Sequence, residues 1–559
     1  MIEIRKPATL AATHMLVAAM ALLLFAGPAG AAEAAPGAES SLYGDHAARA
    51  GDESLGTVDF QVSCAEATQP AFDRALSFMH HMMYAQARSA FEEIAKDDPD
   101  CAMAYWGVAT TRFQPLWPTR PSADELEQGW TEIQQAQDLE PATERQRNLV
   151  AATAAFFRDP KTADWWTRIR RWADAMETAY EASPSDPDTA ALYALSRLAL
   201  SPVTENRGRL HDEAERVLRD IYEQVPTHPG AIHYSIHATD VDGRADNALD
   251  IVETYAEIAP QVPHALHMPT HIYVRLGQWS EVIDWNRRSA DAALEHPAGD
   301  AVSHHFPHAT DYLLYAHLQR GEDDRARQVL EETLAKDDYQ RSFISTFHLA
   351  AMPARYAVER RQWEEAAALA PRSPKYLPWD EAQWAEGLTW LALGLGALHT
   401  GDLERAQEAE ARLAALRADA KAAGEDGFAT YIEIDRLILA GWIARAQDRT
   451  DDAVALIREA AELEGSVEKH PVTPGALMPP YEALGELLLD LGRPAKALAA
   501  YEASDEVWPG RFNTLLGAAR AAKAAGDDET AHAWYAELIE VAGDSDRAAV
   551  AEAQRQLGG

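Results

Sequence analysis

Small and aromatic residues recur along this chain one helical turn apart, with polar and acidic residues between them. In YAQARSAFEEIAKDDPD, Ala87, Phe91 and Pro99 stand at offsets of four and twelve. RPAKALAAYEASDEVWP repeats the grammar with Ala497, Tyr501 and Pro509, and DDETAHAWYAELIEVAG repeats it with Ala531 and Tyr535, 34 residues further on. LGQWSEVIDWNRRSADA, RGEDDRARQVLEETLA, RRQWEEAAALA and TGDLERAQEAEARLAAL share a glycine or polar turn, then an aromatic or leucine, then a small residue three later. Residues four apart share one helical face, so each segment offers a stripe of small and aromatic side chains to a neighbour. A unit this short cannot bury that stripe alone, and a fixed period predicts stacked units with a continuous core.

These residues resemble the tetratricopeptide repeat, in which small residues let two antiparallel helices approach and the aromatic fills the gap between them. Aligned on that pattern, repeats begin near 68, 102, 195, 229, 263, 307, 347, 387, 434, 478 and 512. Residues 120 to 195 look helical, as in ELEQGWTEIQQAQDL and RIRRWADAMETAYEA, but match the repeat poorly. The resemblance implies an all-α, tetratricopeptide-type helical-hairpin solenoid whose repeats each contact only their neighbours. It divides into N-terminal helical repeats over 59–228, central histidine-rich repeats over 229–380 and C-terminal repeats over 381–559. The proline-rich interruptions QPLWPTRPS, PRSPKYLPW and HPVTPGALMPP break helices, as connectors or as lids over the groove.

The N-terminal pattern is different. Arg5 and Lys6 precede the apolar run MLVAAMALLLFAG, and Ala29 and Ala31 follow at the spacing an export peptidase prefers. Residues 1–31 therefore read as a signal peptide, and residues 32–58, rich in Ala, Gly and acid, as a disordered lead-in. No later stretch approaches about 20 uninterrupted apolar residues, so no stable membrane insertion is expected. The expected location is periplasmic or secreted. A formal net charge of -39 repels phosphate backbones and argues against nucleic acid as a partner. In an oxidising compartment the two cysteines, Cys64 and Cys101, are expected to pair. On the repeat alignment they fall just before a first helix and just after its partner, at one end of a hairpin. A bond there would remove about 4 kcal/mol of unfolded-state freedom.

Histidine is the unevenly distributed residue. Ten of the 20 histidines lie between His228 and His308, 81 of the 559 residues. In the repeat family the second, fifth, ninth, twelfth and thirteenth places of the first helix face the concave groove. That register puts His233, His237 and Asp240 in the groove of one repeat and His264, His267 and His271 in the next. His308, Asp311 and Tyr315 follow, then His348 and Arg355, while His304 and His305 fall in the approach to their helix. His233 and His267 are 34 apart, as are His237 and His271, so they should stack on adjacent helices. Imidazoles four apart on packed helices suit an ion needing nitrogen ligands at about 2.0–2.1 Å. The metal-ligand candidates are thus His233, His237, Asp240, His264, His267, His271, His308 and Asp311. The aspartates serve either as ligands or behind an imidazole. Tyr315, His348 and Arg355 are ligand-binding candidates, Arg355 because its planar fork suits a carboxylate. The donor set fits a transition metal such as copper, zinc or iron better than calcium or magnesium, and more than four histidines leave room for two ions. His80 and His81 read as structural, and His399, His470 and His532 as isolated.

No HExxH helix, nucleophile elbow, P-loop or dinucleotide fingerprint occurs. Three readings stay open: a His-rich, metal-containing ligand site in the concave groove, a scaffold that binds a peptide or partner protein there without metal, and a metalloenzyme acting on a small molecule in the groove.

Overall fold

Prolines, glycines and short polar side chains divide the chain into helices, and the turns between them are short enough to make neighbours antiparallel. Ser122 opens Ala123–Asp138 with a capping box to Glu125, and Asp186 caps Pro187–Leu200 through the Thr189 N–H. At Gly321 the backbone takes a φ of +67° to join His305–Gln319 to Asp323–Leu334, a conformation that favours glycine. The structure is a computed structural model that describes residues 54–117, 120–241, 243–543 and 545–558. Among these residues it is all-α, with two isolated bridges, Ala298 to Ala301 and Val302 to Tyr339. Successive helices pack on one another from Gln69–His80 to Ala548–Leu557, a tetratricopeptide-type solenoid. The signal peptide expected at 1–31 and residues 32–53 of the lead-in lie outside the described residues.

The aromatic and small residues do what the repeat pattern requires. The Tyr501 ring lies between Gly485 and Gly517, where an added Cβ would approach it to 2.8 and 2.2 Å. Phe91 fills the same gap against Gly107, at 2.5 Å. First helices start at Gln69, Ala102, Pro229, Pro263 and Phe512, within a residue of the expected places. Others start earlier, Pro187 rather than 195 and Asp426 rather than 434. The alignment follows packing faces, whereas a helix begins at its cap. The poorly matching stretch supplies Ala123–Asp138, Glu144–Phe157 and Trp165–Ala182, which continue the stack through Phe113, Phe156, Phe157 and Trp172.

Two expectations change. Residues 54–58 belong to the packed body, because Leu55 is buried, Ser54 Oγ donates to Ile258 O at 2.8 Å and Thr57 N to Thr227 O at 2.8 Å. The concave face is also not an open groove. Tyr312 Oη donates to Pro471 O (2.8 Å) and Thr473 O (3.0 Å), and Trp279 Nε1 donates to Gly510 O (2.8 Å). Buried Arg511 joins Glu359 (2.8 Å), Glu482 (3.0 Å) and Tyr315 (2.7 Å). The proline-rich excursion HPVTPGALMPP therefore covers the central repeats. Cys64 and Cys101 form the disulfide. Asp98 clasps the same corner by accepting from Ala65 N (2.8 Å) and Thr68 Oγ1 (3.2 Å). No helix among the described residues is long and apolar enough to cross a membrane.

Candidate metal centre

The first helices of consecutive repeats bring the histidines together. Pro229–Thr239 carries His233 and His237, Pro263–His267 and Pro269–Arg275 carry His264, His267 and His271, and His305–Gln319 carries His308. Two triads result, His267 with His271 and His308, and His233 with His237 and His264, each with one donor atom per residue within 4.8 Å of the others. Three imidazole nitrogens around one ion at about 2.0–2.1 Å lie about 3.3–3.6 Å apart, so each triad needs only small side-chain adjustments to close on an ion. The triads adjoin, with ring centroids 6.0 Å apart for His264 and His267 and 6.0 Å for His237 and His271.

Hydrogen bonds assign the tautomers of the first triad. Asn286 Nδ2 donates to Val282 O at 2.8 Å, which turns its Oδ1 toward His267 Nδ1 at 2.7 Å. His267 Nδ1–H therefore donates, and its Nε2 holds a lone pair. His271 Nδ1–H donates to Asp240 Oδ2 at 2.9 Å, leaving a lone pair on its Nε2 as well. These two Nε2 atoms face one another at 3.0 Å. Two lone pairs at that distance repel unless a cation lies between them. A shared proton is opposed, because burial and the neighbouring ring push the His267 pKa well below its usual value, and burial lowers that of His271 despite Asp240. On the other side His348 Nδ1–H donates to Asp311 Oδ2 at 2.9 Å, so His348 Nε2 accepts from His308 Nδ1–H at 2.8 Å. That chain leaves the His308 Nε2 lone pair free.

The second triad has unused nitrogens. His233 Nδ1–H donates to His80 O at 2.7 Å and its Nε2 has no partner. His237 Nε2 and both ring nitrogens of His264 also lack partners and are buried. A buried donor or acceptor left unpaired costs about 1–3 kcal/mol, so four in one triad call for a partner, an ion or an ordered water. Burial and mutual proximity hold these imidazoles in the neutral form that a metal requires, with His237 pushed down to about 3 by burial and then His271.

The aspartates stand behind the rings. Asp240 holds His271, Arg275 Nε (2.9 Å) and Lys469 Nζ (3.1 Å), and Asp311 holds His348 and Arg355 Nε (3.1 Å). Burial would push both carboxyls up. For Asp240 the Lys469 and Arg275 cations and the His271 bond outweigh it, and for Asp311 the Arg355 guanidinium and His348 do. Tyr315 and Arg355, expected to face a ligand, are covered instead. Tyr315 bonds Arg511, and Arg355 donates to Gly475 O at 3.2 Å and Thr473 Oγ1 at 3.4 Å. His348 is the positioning partner of His308.

A nearby polar cluster shows the contrast. His80 Nε2 (2.9 Å) and His228 Nε2 (3.2 Å) both reach Asp188 Oδ1, while His80 Nδ1 meets Tyr234 Oη at 3.1 Å and His228 Nδ1 accepts from Ala231 N at 3.1 Å. Every ring nitrogen there is satisfied without an ion. His81 is satisfied too, by Tyr255 Oη (3.0 Å) and Leu55 O (3.1 Å).

The proline-rich excursions bring residues that sequence reasoning passed over. Trp117 lies over His264, His304 and His308 at centroid distances of 5.0, 5.3 and 5.9 Å. His470, Pro471 and Val472 close a void of about 20 Å³ against Trp117, His237, His264, His271 and His308, room for one ion or water. His305 is the first residue of its helix rather than part of the approach, 5.3 Å from His264 between ring centroids. The signal for the Trp117 and His470–Val472 contacts lay in two of the three proline-rich interruptions, read as connectors or lids.

No family model matches the chain, and no curated protein matches it. Among solved structures it is similar to a chain of the Cut9–Hcn1 hetero-tetramer of the APC/C, at 16% identity over 88% of this chain and 90% of that one, with a TM-score of 0.32. It is also similar to a monomeric IFIT1 mutant with m7Gppp-AAAA, at 12% identity over 86% of this chain and 96% of that one, with a TM-score of 0.36. At these values no functional property carries over.

Proposed function

We propose that this chain is an exported helical-repeat protein that binds transition-metal ions in a buried, all-imidazole centre at its core. His267, His271 and His308 hold the first ion, and His233, His237 and His264 hold a second. Asp240, Asn286, Asp311 and His348 fix ring orientation from behind, as outer-shell partners of metal ligands do. The observation that carries the reading is the pair of Nε2 lone pairs 3.0 Å apart, each ring locked through its other nitrogen. Neutral imidazoles with no thiolate or clustered carboxylate favour copper, zinc or iron over calcium or magnesium. The alternative of a peptide in the concave groove loses support, because the chain's own 466–479 segment occupies that face. Elemental analysis of untagged protein, alongside the His267→Ala, His271→Ala double variant, tests the proposal. One or two equivalents of a transition metal in the wild type, reduced in the double variant while the helical circular dichroism persists, is the expected result. Absence of metal after reconstitution with copper, zinc and iron overturns it.

A further inference from the structure

Tyr431 and Asp435 stand four apart on Asp426–Ala446 and so share one face of that helix. The face opens on a cavity of about 540 Å³ bounded by Trp384, Tyr481 and Trp508. The chain beyond Glu464 forms a further wall, tied there by Tyr431 Oη, which donates to Glu468 O at 2.7 Å. Trp384 and Tyr431 stack with ring centroids 4.5 Å apart. Aromatic walls and a volume in the ordinary range for small-molecule sites suit an organic occupant.

The polar wall sets the sign of that occupant. Five carboxylates line the cavity, Asp435, Glu462, Glu464, Glu468 and Glu506. Asp435 is only 7% exposed and has no hydrogen-bond partner among the described residues. Glu468 Oε2 is likewise buried without a partner, while Glu464 accepts from Trp508 Nε1 at 3.1 Å. Glu462 and Glu506 are exposed, at the rim. The cations on the wall, Arg275 and Lys469, are held by Asp240 at 2.9 and 3.1 Å, and burial keeps His470 neutral by pushing it down to about 3. A buried acceptor without a donor is unfavourable, and the donor that suits a carboxylate best is a charged N–H. Burial, and then Glu464, push the Asp435 carboxyl up to about 8, so in the empty cavity it holds a proton that an arriving ammonium displaces.

An inorganic ion fits less well. Among the described residues no three of these carboxylates converge within ligating reach of one another as the histidine triads do. Aromatic faces, in contrast, attract an organic cation without coordinating it.

We propose that this cavity binds an organic primary ammonium ion, its apolar body among the aromatic rings and its ammonium group held by Asp435 and Glu468. The site is separate from the histidine centre and does not rest on the metal reading.

Calorimetric titration of untagged protein with phenethylamine at about pH 8, against phenethyl alcohol as the neutral molecule of similar shape, tests it. The amine is expected to bind about tenfold or more tightly than the alcohol, and Asp435→Asn to weaken the amine about tenfold or more while leaving the alcohol and the helical circular dichroism unchanged. Glu468→Gln is expected to weaken the amine as well. Removal of bound metal with a chelator should leave amine affinity unchanged. No amine binding, or equal affinity for amine and alcohol, overturns the proposal. So does amine affinity unchanged in both Asp435→Asn and Glu468→Gln, which would mark binding to the acidic surface of a protein of net charge -39. Amine binding that vanishes on chelation assigns the amine to the metal centre and overturns the cavity site. Absence of metal with amine binding intact overturns the metal centre and leaves the cavity site standing.

Discussion

Replacing Asp240 by Asn keeps the shape of the side chain and removes one charge from a network that is almost wholly buried. Asp240 contacts His271 Nδ1 at 2.9 Å, Arg275 Nε at 2.9 Å and Lys469 Nζ at 3.1 Å, and the Lys469 and Arg275 side chains are only 1% and 6% exposed. Removing one partner of a buried ion pair leaves an uncompensated charge and costs about 3–5 kcal/mol. The Asn amide also no longer compels His271 Nδ1 to be the donor, so the Nε2 lone pair is less firmly aimed at the ion. Loss of such an outer-shell partner lowers metal affinity about 10- to 100-fold, or about 1.4–2.7 kcal/mol. Guanidinium denaturation of metal-free protein reads the first effect, and competition with a chromophoric chelator reads the second. The Arg355-paired Asp311→Asn variant, which stands behind His348 and His308, is expected to behave alike. Wild-type metal affinity in the Asp240→Asn protein would refute the tautomer argument. Stability within about 0.5 kcal/mol of wild type, the range of ordinary surface substitutions, would refute the buried network.

Burial, with a smaller contribution from Glu464, pushes Asp435 up to about 8 from its usual 3.8. The folded state therefore holds a proton that the unfolded chain releases. This contribution is complete below pH 3.8 and disappears as pH rises through about 8. Relative to Asp435→Asn, wild-type stability should fall between pH 5 and 8 by up to about 1.4 kcal/mol per pH unit, and a pH-independent difference in denaturation would contradict the assignment. Cys64→Ala with Cys101→Ala, which opens a loop with a sequence separation of 37, should lower stability by about 4 kcal/mol in chemical denaturation. Gly396→Ala should destabilise by about 1–3 kcal/mol, because its Cβ would lie 2.3 Å from Ala367 N and 2.6 Å from Trp363 O, backbone atoms that cannot swing away. Gly208→Ala, whose nearest contact would be 3.9 Å, should gain up to about 1 kcal/mol, and thermal melts distinguish the two.

The helical-hairpin solenoid could be read from local spacing, because a helix face is set by residues three and four apart and a repeat by the same spacing 34 residues on. That is why Phe91, Tyr501 and the glycines beside them sit where the pattern puts them. The same register brought His233, His237, His264, His267, His271 and His308 to one face, since stacking identical units aligns identical places. The pairing of Cys64 with Cys101 follows from the same hairpin.

What escaped that reasoning depends on contacts between distant parts of the chain. Lys469 reaches Asp240 across 229 residues and Arg511 reaches Tyr315 across 196, and neither pairing carries a local period. The division of the histidines into two open triads and one satisfied cluster around Asp188 likewise rests on which partners each ring nitrogen finds. Asn286 Oδ1, Asp240, His80 O and Asp311 engage the Nδ1 atoms of His267, His271, His233 and His348, whereas Asp188 takes the Nε2 atoms of His80 and His228. Periodicity places side chains on a face, because a helix is a local object. Closure of that face and the tautomer of each ring arise from long-range packing, which a one-dimensional pattern does not encode.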